Sequence, residues 1–190
     1  DQSYGMHDIA AAKGFTSVMG RYMIPGAPLE WIWNNPTSGN SEPIAGGFAK
    51  NVGVNSWDAC VLQPYDRSVP NDSIYAGKLA GVAYQGNPNC QVYIFAHYPT
   101  VSQDYNATWT AVPGGNRSRN FFESLTRAVR AQYPARKPAL IVPLGEVLYQ
   151  LNQKIKAGQV PGISAIGQLY ADEVHLNSNG KYVEAVTHFA

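Results

Sequence analysis

Three short apolar runs constrain this chain more than any other feature: "ACVLQPYD" (59–66), "CQVYIFAHYP" (90–99) and "ALIVPLG" (139–145). Each is rich in Val, Ile, Leu or Tyr, and each is stopped by Pro or Gly. Near-continuous apolarity over so few residues reads as strands covered on both faces, the pattern of a parallel sheet. Helical patterns lie between them. "NDSIYAGKLAGVAYQG" (71–86) opens on an Asn or Asp cap and ends at Gly86. "SRNFFESLTRAVRAQYP" (118–134) sets Phe121, Leu125, Val129 and Tyr133 four apart, on one helix face. "GEVLYQLNQKIKAG" (145–158) repeats the pattern, and "SNGKYVEAVTHF" (178–189) reads as a final helix. "RYMIPGA" (21–27) reads as a further strand, preceded by the helix "MHDIAAAKG" (6–14). Alternation at this spacing predicts βαβ units in a three-layer α/β domain spanning 1–190, with helices on both faces of a parallel sheet. Doubly wound sheets normally start on a strand lying mid-sheet, so a helix-first order carries the expectation that the first strand is missing.

A chain of 190 residues can bury roughly 70% of its unfolded surface, which suits one domain. Hydrophobic content of 45% against 14% charged residues argues for a folded globule. A formal net charge of +1 supplies no basic field, so nucleic acid is not an expected partner. No apolar run reaches the 18 or so residues of a membrane span. Cys60 and Cys90 are too few for a disulfide scaffold, and no histidine shows metal-ligand spacing with them; they either bridge or stay free thiols. The sequons at Asn71, Asn106 and Asn116, with a composition rich in Asn, Gly, Tyr and Trp, lean towards an extracellular or periplasmic protein. No glycine-rich phosphate loop is present, and no cofactor is expected. Two stretches, 32–56 and 99–118, read as long loops. Trp31, Trp33, Tyr105 and Trp109 lie in or beside them, past the carboxyl ends of strands, where open α/β sheets bind ligands.

The chemistry concentrates in "DEVHLNSNGKY" (172–182). A carboxylate three residues ahead of an imidazole puts both on one turn. An acid that fixes the tautomer of a base is the physics of serine hydrolysis. Alone, Asp172 and His175 could equally be a capping turn with an exposed histidine. The full form D-x-x-H-L-N-x-x-G-x-Y resembles the last block of the SGNH (GDSL-type) hydrolases. That resemblance implies a flavodoxin-like SGNH-type sheet, ester hydrolysis, Asp172 as the orienting acid and His175 as the base. It further implies oxyanion donors at a glycine after the second strand, here Gly26 in "MIPGAP", and after the third. There the family's Gly-x-Asn-Asp is absent; the chain reads "VLQPYD", and Gln63 carries the amide able to substitute.

The family's nucleophile block, Gly-Asp-Ser-Leu or Gly-Asn-Ser-Leu, is degenerate or missing. Either Ser3 in "DQSYG" is the nucleophile, at a helix start where dipole and amides favour it, or the serine lies upstream of Asp1. Ser41 in "SGNSEP" matches by letter but reads as a polar loop serine. His97 ends a strand, bonded to backbone or touching substrate; His7 and His188 read as structural. Trp31, Trp33 and Trp109 either stack on sugar rings or pack loops onto the core. Arg117 and Arg119 either meet an acidic sugar or solvate the surface. Together these residues predict an SGNH-type esterase removing O-acetyl or similar acyl groups from carbohydrate. The alternative is a non-catalytic binding or assembly protein on the same scaffold.

Overall fold

All three apolar runs become strands. A computed structural model of the chain describes residues 2–42, 52–65 and 67–190, and the side chains of 2–4 and 40–42 lie outside that description. By its internal contacts the chain divides into two units. The first is Asp1–Val18, Ala96–Asn120 and Val142–Ala190; the second is Met19–Phe95 and Phe121–Ile141.

The second unit holds the sheet except for Val142, which belongs to the first. In the order given, β3 (Ala59–Leu62), β4 (Gln91–Phe95) and β5 (Leu140–Val142) form a parallel three-stranded sheet flanked by helices. Ala59 pairs with Gln91 and Leu62 with Ile94. Central β4 buries Val92 and Ile94 completely, whereas β3 leaves Val61 46% exposed. Continuous apolarity therefore marks the middle strand truly and overstates burial at the edge. Helices α3 (Val69–Gly86) and α5 (Arg119–Gln132) pack closely in this unit. Gly77 lets the Gln132 side chain lie against α3, where a Cβ would meet its Oε1 at 1.9 Å, and the Tyr133 hydroxyl donates to the Gly77 carbonyl at 2.8 Å. On α5 three of the four residues of the predicted stripe, Phe121, Leu125 and Val129, are 3% exposed or less, while Tyr133 falls just past the helix end and is half-buried.

Helix α3 starts two residues earlier than the Asn/Asp reading placed it. Ser68 is the cap, its hydroxyl accepting from the Asn71 N–H, and Pro70 sits in the first turn where no N–H is needed. Residues 21–27 also differ from expectation. Only Arg21–Met23 form a strand, β1, and it pairs antiparallel with β2 (Asn40–Glu42), outside the parallel sheet. Ser41 thus lies in a short strand and not in a loop. Pro25 ends β1, and a turn closed by the Ala27 N–H on the Ile24 carbonyl at 3.0 Å puts Gly26 at φ +67°. Helix α2 (Leu29–Asn34) then occupies the start of the stretch read as a loop; the middle of that stretch, 43–51, lies outside the described residues. Cys60 and Cys90 are free thiols, and burial pushes Cys60 up to about 12.

In the first unit, α1 (Gln2–Ala12) packs on α7 (Ser178–Phe189), with α4 (Tyr105–Thr110), α6 (Leu144–Lys156) and a 3₁₀ turn (Ile166–Leu169) completing it. At Gly5 a Cβ would stand 3.1 Å from that of Ala185, so the helices nearly touch. Helix α4 occupies the second stretch read as a loop. Six residues are too few to show a period; its signal is the cap, Asp104, whose carboxylate accepts from the Ala107 N–H at 2.9 Å. Among the described residues no helix is long and apolar enough to cross a membrane, and no cluster of three His, Cys, Asp or Glu could hold a metal ion.

Each unit buries one carboxyl with no hydrogen-bond partner among the described residues: Glu184 on α7, and Asp72 in the first turn of α3. Burial pushes Glu184 from 4.5 to about 8, with Lys181 pulling the other way. Burial likewise raises Asp72 to about 7, opposed by Arg67. Both folded values lie above the unfolded ones, so the folded state holds the extra protons. Their contribution is fully present below about pH 4 and is lost as pH rises towards 8. Replacing Glu184 by Met removes the unpaired acceptor while keeping the stem. Urea unfolding at pH 8 should show Glu184→Met more stable than wild type by about 1–3 kcal/mol, with a flatter pH profile between 5 and 8. An unchanged profile would mean that the carboxyl is not buried in solution.

Candidate active site

The D-x-x-H-L-N-x-x-G block folds as one unit of local structure in the first unit, and each letter has a physical job. Leu176 is buried and bridges antiparallel to Tyr170, closing 171–175 into a turn with the Ala171 N–H on the His175 carbonyl at 2.8 Å. Asn177 caps α7. Its side-chain oxygen accepts from the Asn179 and Gly180 N–H groups at 3.0 and 3.2 Å, and its amide nitrogen donates to the carbonyls of Gln168 and Tyr170 at 2.7 and 3.3 Å. Gly180 is needed for close approach, since a Cβ there would fall 2.3 Å from the Leu169 carbonyl oxygen and 2.8 Å from Leu176 Cβ. Tyr182, the last letter, is 68% exposed and does no such work.

That frame presents Asp172 and His175 on the outside of the turn. One Asp172 oxygen accepts from the N–H groups of Val174 and His175 at 2.9 and 2.8 Å; the other lies 2.8 Å from His175 Nδ1. Backbone hydrogen bonds from His175 and Val174, then the imidazole, hold the carboxyl down at about 2. An ionised carboxylate can only accept, so Nδ1 carries the proton of a neutral ring and Nε2 presents its lone pair. Both side chains are open to solvent, 57% for Asp172 and 75% for His175. Nε2 meets no hydroxyl among the described residues. The pair is thus held in one geometry, with the imidazole open to solvent.

Ser3, in the same unit, lies in the first turn of α1, its side chain outside the described residues. Gly26 and Gln63 belong to the second unit. The turn after Pro25 requires a glycine at position 26 whether or not its N–H serves a substrate. Gln63 is exposed in the segment just past the end of β3.

The tryptophans separate. Trp31 on α2 is 55% exposed, and Trp33 is half-buried with Lys78 Nζ 5.3 Å from its ring centre. Trp109 is a core residue, 2% exposed, so it offers no face for a sugar. Its indole N–H donates to Glu146 at 2.8 Å. Arg119 is committed to the same carboxylate, Nε to Oε2 at 2.9 Å, and so is not free for an acidic substrate. Burial raises the Glu146 carboxyl, but hydrogen bonds from Gln150, Trp109 and Arg119 outweigh it and hold the group below its ordinary value. Arg117 donates to the Tyr98 carbonyl at 3.1 Å. His97 is buried, and desolvation, with Arg117 nearby, pushes it down to about 3, so it stays neutral. His7 lies 2.9 Å from Ser17 Oγ and His188 3.0 Å from the Glu184 carbonyl.

Tyr98 and Glu173 also touch this region and carry no sequence signal. The Tyr98 hydroxyl donates to the Val174 carbonyl at 3.4 Å, and Glu173 faces away from Asp172 towards Ser102.

No family model and no curated protein matches the chain. Two solved structures are similar to it. One is a DUF4886 family protein from Bacteroides uniformis, with a TM-score of 0.60 and 16% identity, covering 97% of this chain and 74% of that one. The other is a protein provisionally assigned as a GDSL-like lipase, from Parabacteroides merdae, with a TM-score of 0.54 and 12% identity, covering 98% and 77%. At these identities the likeness shows a GDSL/SGNH-like α/β fold.

Because Gly180 leaves no room for a methyl group between Leu169 and Leu176, Gly180→Ala must push α7 off the 3₁₀ turn. The expected cost is about 1–3 kcal/mol. Chemical denaturation of the variant reads it directly, and a loss under about 0.5 kcal/mol would refute the close packing.

Proposed function

We propose that the chain is an ester hydrolase of SGNH type, in which His175 is the general base, Asp172 holds its tautomer and Ser3 is the nucleophile. The observation that carries this reading is the Asp172–His175 pair itself, with the acid on Nδ1 and Nε2 open. In the reaction, Nε2 takes the Ser3 proton as Oγ bonds to the acyl carbon, and the carbonyl electrons move to the oxyanion. As the oxyanion collapses, the ester C–O bond breaks and the imidazolium returns its proton to the leaving alkoxide. Water then repeats both steps on the acyl-serine, releasing the acid and restoring the hydroxyl. Asp172 stays ionised throughout, since its carboxyl protonates only near pH 2.

For substrate we propose an O-acetyl or similar small acyl ester on a carbohydrate, met outside the cytoplasm. The exposed indole of Trp31 supports the sugar part, because a flat apolar face stacks on a pyranose at little entropic cost. A second reading has its own support. The family's Gly-x-Asn-Asp is replaced by "VLQPYD", and no described hydroxyl meets Nε2. Those features suit a binding or assembly protein that kept the scaffold and lost the reaction.

The two readings part on one experiment. Folded protein is treated with a fluorophosphonate probe, the labelled residue is mapped by mass spectrometry, and turnover of p-nitrophenyl acetate is followed. Hydrolysis predicts label on Ser3 and a fall in kcat of about 10²–10⁴ for His175→Ala, with an unchanged circular dichroism spectrum. Folded protein in which no serine takes the label is the non-catalytic relative.

A further inference from the structure

The residue between the acid and the base is a glutamate, and it points the other way. Glu173 accepts from the Ser102 N–H at 3.0 Å and from the Ser102 hydroxyl on the same oxygen, while its own carbonyl accepts from the Val101 N–H at 3.1 Å. Those bonds fasten the outer side of the 171–175 turn to residues 101–102. The second partner is itself anchored. The Thr100 N–H donates to Gln103 Oε1 at 2.9 Å, and the Pro99 carbonyl accepts from the Tyr170 hydroxyl at 3.0 Å, just below the turn. The inner side of the turn is held by backbone bonds at its base and by the long Tyr98–Val174 contact. At its tip, where the imidazole is oriented, Glu173 supplies the ties to the rest of the unit.

We propose that Glu173 and Ser102 form a clasp that positions His175 for the hydrolysis proposed above, on which this inference rests, and that both are positioning residues. Asp172 fixes the ring relative to its own turn; the clasp fixes the turn relative to the unit. A general base works only when its nitrogen stands within hydrogen-bond reach of the proton it takes. Releasing the tip spreads His175 over several placements and lowers the fraction poised to react. Chemistry then suffers more than substrate binding. Alanine at residue 102 keeps the N–H tie and removes the hydroxyl, so threonine should serve where alanine fails.

Two readouts test the clasp. Imidazole ¹⁵N correlation spectra of the free protein report the tautomer and exchange broadening of His175, and steady-state kinetics on p-nitrophenyl acetate separate kcat from KM. In Ser102→Ala and Glu173→Ala, kcat should fall about tenfold with KM within twofold, and the single Nδ1-protonated signal should broaden or split. Ser102→Thr should restore both. Wild-type protein with no esterase activity would remove the hydrolase reading, while the spectra would still decide whether the clasp orders the ring. Unchanged spectra in both alanine variants, with kcat also unchanged where the wild type is active, would overturn the clasp alone.

Discussion

One asparagine side chain organises the part of the first unit that carries Asp172 and His175. Asn177 makes four hydrogen bonds with a single amide: two accepted from the first turn of α7 and two donated to the 3₁₀ turn and its successor. A helix cap alone needs only the accepting half, and serine or aspartate would supply it. The donating half needs an N–H as well, and the carboxamide has both. The cap therefore also ties the start of α7 to 168–170, and Tyr170 with Leu176 closes the turn that carries Asp172 and His175. Gly180 keeps the two pieces in contact. The acid and the base are exposed, yet their setting is determined from beneath by packed and hydrogen-bonded residues.

Much of this was legible from residue types and spacing. The stripe Phe121, Leu125, Val129 is the buried face of α5 because four-residue spacing and large apolar side chains leave no other face to bury. The Asp172–His175 pairing was legible because three residues is the span of one turn. Trp109 was not legible. Its letters fit stacking on a sugar and packing onto the core equally well, and Glu146, 37 positions on, supplies the acceptor that lets its N–H go inside. The same long-range logic hid Glu173, whose partner Ser102 lies 71 positions away. At 21–27, Pro25 and Gly26 spend half the run on a turn, and the remaining three residues pair with a segment carrying no strand pattern. Local chemistry was readable wherever a side chain answers to its own turn. It failed where the answering group is distant.

Buried polar groups show the same division of labour. Glu146 lies partly inside and is answered by an indole N–H, a guanidinium and an amide, so it stays charged. Glu184, on α7, is fully inside and unanswered, and it takes a proton instead. Both outcomes obey one rule: a carboxyl removed from water either finds donors or becomes neutral. The first arrangement fixes geometry. The second makes packing within the first unit sensitive to pH along α7, the helix that carries Gly180.

Exposure of the proposed base has a further physical consequence. With the ring three-quarters in solvent, its bond to Asp172 is screened by water and by salt. In the proposed reaction, an acyl substrate seated over Nε2 would displace that water. The same two side chains then interact at lower effective dielectric, so the carboxylate stabilises the imidazolium most strongly when a proton has just arrived. A dyad of this kind needs its geometry set in advance and its polarity supplied on binding. The backbone bonds to Asp172, the Asn177 cap and the Ser102–Glu173 contact meet the first need without burying either reacting group. For the acyl ester proposed above, such an open, pre-oriented pair would meet the substrate at a surface without engulfing it.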